Sequence, residues 1–245
     1  MKDFSVFDII GPRMVGPSSS HTAGAVRIGL VARSFIKGHI SSVEITLYGS
    51  FADTGRGHGT DRAIVAGILG VEPDDPRIKY SMLLAKSEDM AVAVNYSHEP
   101  TDHPNTARIK VTGDDNKSFT IVGISIGGGN IRIIEINGME VSFGGDYPTL
   151  IAFYNDVPGV ISKVSTVLAA MNINIAFMRV FRQAKRKEAC MVMETDAIIN
   201  GEVLDVLSNC VEEIAEVCAI GVMHLIMGKS YWSFVKTRIS QLLRS

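Results

Sequence analysis

Apolar and polar positions alternate in two styles along the chain, and the style changes near Tyr147-Pro148. Before that point, periodic segments are interrupted by glycine-rich polar loops. Phe4–Ile10 is a short apolar segment ended by Gly11-Pro12. Ala25–Ile36 has apolar residues at 26, 28, 30, 31 and 35 and predicts a helix. Ser42–Tyr48 alternates Val43, Ile45 and Leu47 with Glu44, Thr46 and Tyr48, the pattern of a half-buried strand. Arg62–Leu69 and Ile78–Lys86 predict helices, and Ala91–Tyr96 a strand. Ala107–Thr112 and Phe119–Ile126 predict strands joined across the turn at Gly113-Asp-Asp-Asn116. Ile131–Ile136 is a further strand, and Asn137-Gly138 a hairpin turn candidate.

After Pro148 the elements follow one another without long interruptions. Thr149–Tyr154 is a strand, Asn155–Gly159 a loop, Val160–Met171 a helix and Ile173–Phe181 a strand. Arg182–Lys187 is a polar turn, Ala189–Thr195 a strand, Glu202–Val211 a helix and Glu216–Met223 a last strand. The order βαββαβ is that of a ferredoxin-like unit, with two helices on one face of an antiparallel sheet. Lys229–Arg244 then shows an amphipathic helical stripe of Tyr231, Trp232, Val235, Ile239, Leu242 and Leu243. Its charges are all basic, which suits a membrane surface, but docking on this protein or on a partner subunit is the reading preferred. The expectation is therefore an α+β chain: residues 1–146 an α/β domain, 148–223 the ferredoxin-like domain and 224–245 a helical tail.

Composition narrows the function classes. The 245 residues carry 24 basic and 26 acidic groups, a net charge of −2, which argues against nucleic-acid binding. No apolar run reaches the roughly 18 residues of a membrane helix, and the start shows no secretory signal. A cytoplasmic location and no membrane partner are expected. Cys190, Cys210 and Cys218 are odd in number with no CxxC, so no disulfide framework is expected, and all three read as buried inert thiols.

The polar loops carry the chemistry. Pro17-Ser-Ser-Ser-His-Thr-Ala-Gly24 immediately precedes a helix. Free amides and the dipole at a helix start attract anions. One Ser or Thr would suffice as a cap, so Ser18, Ser19, Ser20 and Thr22 exceed what capping needs, and His21 can move protons near neutral pH. Gly55-Arg-Gly-His-Gly-Thr-Asp61 lets backbone approach a ligand around His58, although a flexible turn explains it equally. It is not a dinucleotide fingerprint. His103-Pro-Asn105 fixes a base beside an amide. Ser125-Ile-Gly-Gly-Gly-Asn130 suggests either a bulge or, at Gly127 and Gly128, close contact with a ligand or another chain. Together these loops suggest a site for a small polar anion with a proton mover. No residue set in the chain reads as a metal site.

These four motifs resemble the beta chain of the iron–sulfur L-serine dehydratases, and the second half, with Asn155-Asp-Val-Pro-Gly159, resembles an ACT domain. The resemblance covers about residues 3–223. It implies a lyase that converts L-serine to pyruvate and ammonia without pyridoxal phosphate. It implies a four-iron four-sulfur cluster ligated by a partner alpha chain, which would polarise the substrate hydroxyl. It further implies Ser18, Ser19, Ser20, Thr22, Asn105, Gly127 and Gly128 as substrate-binding, with His21, His58 and His103 catalytic. Asn155, Asp156, Gly159 and Asn172 would line an effector pocket or a dimer interface, so a homo-oligomer through the ACT unit is expected. The first half is also similar to the substrate-sensing domain of some phosphoglycerate dehydrogenases, which leaves a non-catalytic serine sensor as the other reading.

Overall fold

The computed structural model describes residues 14–182 and 187–221. The expected apolar segment Phe4–Ile10, the tail helix Lys229–Arg244, most of the turn before residue 187 and the end of the last strand lie outside the described residues. Within them the chain is α+β, built on a six-stranded and a four-stranded sheet.

The first sheet has strands β1 Ile40–Tyr48, β2 Ala91–Ser97, β3 Thr106–Gly113, β4 Ser118–Gly127, β5 Asn130–Ile136 and β6 Met139–Phe143. Their spatial order is β2-β1-β3-β4-β5-β6. Only β1 and β2 pair in parallel; every other neighbouring pair is antiparallel. Helices α1 Ala25–Arg33, α2 Ser50–His58, α3 Thr60–Ile68 and α4 Ser81–Ser87 accompany this sheet. Val43, Ile45 and Leu47 of β1 are buried, while Glu44 between them is exposed, as the alternation predicts.

Glycine sets the registers. A Cβ on Gly29 of α1 would lie 2.2 Å from Ile64 O of α3, and one on Gly67 would lie 2.0 Å from Val26 O. The two helices therefore cross backbone to backbone through a reciprocal glycine contact. Ile28 rests on Gly123 of β4, where a Cβ would meet it at 2.8 Å, and Gly24 faces Ser125. The Phe35 and Phe119 rings lie 5.2 Å apart. Residue numbers rise on α1 as they fall on β4, so α1 runs antiparallel to it.

The second sheet has β7 Thr149–Asn155, β8 Ile175–Arg182, β9 Glu188–Thr195 and β10 Ile214–Ile220, in the order β10-β7-β9-β8. With α5 Val160–Ala170 and α6 Gly201–Cys210 it completes the βαββαβ unit. Alternation decides where each residue goes. Leu150, Ala152, Met191, Met193 and Val217 join the core under the helices. Ile151, Cys190, Val192, Cys218 and Ile220 join the core of the first half. Phe153 reaches Phe119 at 6.0 Å between ring centroids. Both faces of β7, β9 and β10 are thus covered by the chain itself, while the edge strand β8 leaves Phe177 and Val180 exposed.

Several expectations need correction. Gly55–His58 is not a loop but the end of α2, because buried Phe51 and Ala52 anchor that helix despite its glycines. The break is confined to Gly59, at φ +71°, and the next helix starts at Thr60, two residues before the predicted Arg62. The first helix ends at Arg33, not Ile36, where its guanidinium turns back onto Ile36 O at 2.6 Å. Strand β6 was not foreseen, although Asn137-Gly138 does turn into it with positive φ at both residues. Cys210, the last residue of α6, is exposed rather than buried. Among the described residues no helix is long and apolar enough to cross a membrane.

Candidate functional site

The segment Ser19–Gly24 is wound as a π-type turn that runs directly into α1. Ser18 caps it from an extended conformation, and its hydroxyl accepts the His21 backbone N–H at 3.3 Å. The polar run expected as an open loop is thereby folded inward. His21 is 7% exposed and Thr22 is 2% exposed. The π register at this point fits the association of such turns with functional sites.

His21 is held at both ring nitrogens. Its Nδ1 lies 3.3 Å from Ser18 Oγ. Its Nε2 lies 3.0 Å from Thr54 Oγ1 and 3.4 Å from both Ser50 O and Ser50 Oγ. The edge of His58 meets the ring with centroids 4.8 Å apart, and Phe51 does so at 5.1 Å. Burial pulls the His21 pKa below its ordinary value of 6.5, the hydrogen bond with Ser50 O opposes this, and His58 lowers it further. His21 is therefore a neutral ring near pH 7.

The other motifs close around it. Gly49, at φ +51°, lets the His103 loop lie against the start of α2: a Cβ there would sit 2.7 Å from Pro104 O. The Phe51 N–H donates to that same carbonyl. His103 Nδ1 accepts the Asn105 backbone N–H at 3.2 Å. Asn105 donates from Nδ2 to Ser125 O at 3.3 Å. Ser125 faces Gly24, where a Cβ would fall 2.1 Å from its Oγ. A closed ring of contacts results: His21, Ser50, Gly49, Pro104, Asn105, Ser125, Gly24 and back to His21. Thr22 Oγ1, Asn105 Oδ1 and Ser125 Oγ are buried on this ring with no hydrogen-bond partner among the described residues, and Thr60 Oγ1 shares that condition. Native proteins seldom leave such atoms unpaired, so a cluster of them points to a polar ligand.

Gly127, Gly128 and Gly129 all have positive φ and turn β4 into β5. Arg27, 4% exposed on α1, donates from Nη1 to Gly129 O at 2.6 Å and anchors that turn. The sequence reading missed Arg27, which looks like an ordinary surface cation. It missed Ser50 and Thr54, whose partner is 29 or more residues away. Among the described residues no group of three or more His, Cys, Asp or Glu could hold a metal ion. The cysteines do not fit an iron–sulfur cluster in this chain: Cys190 and Cys218 are buried and Cys210 stands alone on α6.

In the second half, Asp156 and Gly159 border a groove of about 360 Å³ with Tyr154, Ile161 and Arg182. Arg182 Nη1 pairs with Asp156 Oδ2 at 3.2 Å. Gly159, at φ +97°, starts α5 without a side-chain cap, leaving the first amides of the helix open. Asn155 is exposed at the end of β7. Asn172 is not part of this group. It follows the end of α5 at φ +56°, about 20 Å from Gly159 at the helical rise per residue.

The fold and the ring of contacts define an α/β unit with a neutral histidine beside a cluster of buried unpartnered polar atoms, joined to a ferredoxin-like βαββαβ unit. Residues 5–90 match the serine dehydratase beta chain family and residues 149–212 match the ACT domain family. The chain is 44% identical over 209 residues to a probable L-serine dehydratase, beta chain, of Bacillus subtilis, covering 85% of this chain and 94% of the relative. It is 43% identical to the L-serine dehydratase, beta chain, of Peptoniphilus asaccharolyticus, covering 80% of this chain and 89% of the relative. A D-3-phosphoglycerate dehydrogenase of Bacillus subtilis is 30% identical over 76% of this chain, but that match spans only 35% of the relative. The chain belongs to the L-serine dehydratase beta-chain family and carries an ACT domain.

Proposed function

We propose that this chain, together with an alpha chain, dehydrates L-serine to aminoacrylate, which hydrolyses to pyruvate and ammonia. The observation that carries the reading is the ring of contacts around buried, neutral His21 with unpartnered Thr22 Oγ1, Asn105 Oδ1 and Ser125 Oγ on it. Ser19, Ser20, Thr22 and Asn105 hold the substrate carboxylate and hydroxyl, with Gly127 and Gly128 bringing backbone close. His21 serves the α-proton, while His58 and His103 complete the wall of the site.

A four-iron four-sulfur cluster held by the alpha chain would supply Lewis acidity at the serine hydroxyl when bound. This chain's own part is to bind, orient and move the proton. It is inactive without its partner on this reading, and pyridoxal phosphate has no role. Asp156, Gly159 and the Arg182 groove bind a small amino-acid effector, with Asn155 and Asn172 available to a second copy of the ACT unit.

The test is anaerobic isolation of the complex that forms on this chain, with iron and serine-dependent pyruvate measured. Iron arriving with a second, cysteine-bearing chain supports the reading. His21→Ala should remove turnover by roughly 10²–10⁴-fold, the usual contribution of a positioned acid–base group, while leaving the complex assembled. A chain that emerges alone and iron-free favours the serine-sensor reading, to which the phosphoglycerate dehydrogenase relative gives its weight.

A further inference from the structure

We infer that Ser18 is the group that meets the substrate α-proton, and that it passes its own hydroxyl proton to Nδ1 of His21. The inference rests on the dehydratase reading and adds a catalytic residue to it.

The hydrogen-bond inventory around His21 assigns its tautomer. Thr54 has one hydroxyl proton, and its Oγ1 lies 2.8 Å from Ser50 O, a carbonyl that can only accept. Thr54 therefore gives its proton to Ser50. Nε2 of His21 then faces Thr54 Oγ1 at 3.0 Å, and Ser50 O and Ser50 Oγ, each at 3.4 Å; the shortest of these, to a hydroxyl whose proton is already given away, needs Nε2 as donor, and Ser50 Oγ can accept as well. It must carry the ring proton. Nδ1 is left with its lone pair, and its partner is Ser18 Oγ at 3.3 Å. That hydroxyl accepts the His21 backbone N–H and so directs its own proton to Nδ1.

Both ring nitrogens are thus committed to the protein. Phe51 and His58 stand edge-on against the ring, and His21 is 7% exposed. Direct contact between substrate and imidazole is closed off. Ser18 is only half-buried and precedes the first turn of the wound segment. It is the partner of the one nitrogen able to take a proton. A serine hydroxyl is a weak base alone and becomes competent when an adjacent imidazole removes its proton.

The step balances within this pair and the substrate. The Cα–H bond breaks and its proton goes to Ser18 Oγ. The Ser18 O–H bond breaks and its proton goes to His21 Nδ1, forming imidazolium. The electron pair from Cα–H becomes the second bond between Cα and Cβ, and the Cβ–O bond breaks with loss of hydroxide. The imidazolium proton later returns through Ser18 and neutralises that hydroxide as water.

Two substitutions separate this role from capping. Ser18→Asn keeps a side-chain acceptor for the His21 N–H, as a good cap, but has no hydroxyl proton to pass. Ser18→Thr keeps both functions. In the complex with the alpha chain, S18N should lower kcat by roughly 10²–10⁴-fold with KM for serine little changed, and S18T should recover most of that loss. S18N with wild-type kcat, or S18T as inactive as S18N, overturns the inference. An independent readout uses the full chain alone: nitrogen-15 NMR should find the His21 ring with Nε2 protonated and Nδ1 bare. A ring protonated at Nδ1 overturns the relay even if both variants misfold. A wild-type complex that makes no pyruvate from serine sinks the dehydratase reading and the relay together, whereas an active complex with an active S18N sinks only the relay.

Discussion

At the scale of the residue, the environment of His21 makes a pH prediction. Burial is the largest cause of its lowered pKa, and His58 adds a smaller push in the same direction. The folded chain therefore binds fewer protons at this ring than the unfolded chain does. The associated stability is complete above the unfolded value of 6.5 and declines as pH falls through the lower folded value. The same neutral ring is the form that can accept a proton. The acid limb of kcat/KM in the complex should accordingly fall below pH 6.5, and His58→Gln should move it only slightly upward, because desolvation remains. A limb at or above 6.5 in the wild type would contradict the assignment of His21. The sequence made His21 and its serines visible because five consecutive polar side chains ahead of a helix exceed what a cap requires. It hid Thr54, Ser50 and Arg27 because each matters through a partner distant along the chain. Nothing local marks them.

At the scale of the element, the clearest dependence is the crossing of α1 and α3. Gly29 and Gly67 each lie against backbone of the opposite helix. Backbone cannot swing aside as a side chain can. Gly67→Ala should therefore destabilise the chain at the upper end of the roughly 1–3 kcal/mol that overpacking costs, read as a drop in melting temperature. Gly57→Ala, where a Cβ meets nothing within 4 Å, is the control and should be neutral or slightly stabilising. The contrast also explains which elements could be read from sequence. The second half was legible almost element by element, since its strands alternate and its helices carry ordinary apolar stripes. In the first half, Gly55–His58 at the end of α2 reads as a loop because Gly55 and Gly57 signal a turn, and only the tertiary burial of Phe51 overrides that signal. The short strand β6, between glycines at 138 and 144, gave too brief an alternation to be read.

At the scale of the whole molecule, the two cores meet through the four-stranded sheet. Cys190 and Cys218 point into that junction, and burial pushes the Cys190 thiol up to about 12 and raises Cys218 as well. In the native chain a thiol reagent should label Cys210 quickly and the other two only on unfolding. Rapid labelling of all three would mean that the junction opens readily. The ring contacts Phe153–Phe119 and Phe119–Phe35 carry the junction to just past the end of α1, whose other end is capped by Gly24.

The double coverage of β7, β9 and β10 limits how the molecule can be divided. An ACT unit cut out as Pro148–Gly221 would keep its helices but lose the cover over Ile151, Phe153, Cys190, Val192, Cys218 and Ile220. Water would then face a contiguous greasy plane, the kind of surface that drives association. Such a fragment should self-associate or precipitate in light-scattering measurements, and substituting Phe153→Ser with Ile151→Thr should improve its solubility. The ACT domain is therefore a graft whose underside is bare once it is cut out, and moving it to another host would require a new bed for that underside, not merely a linker.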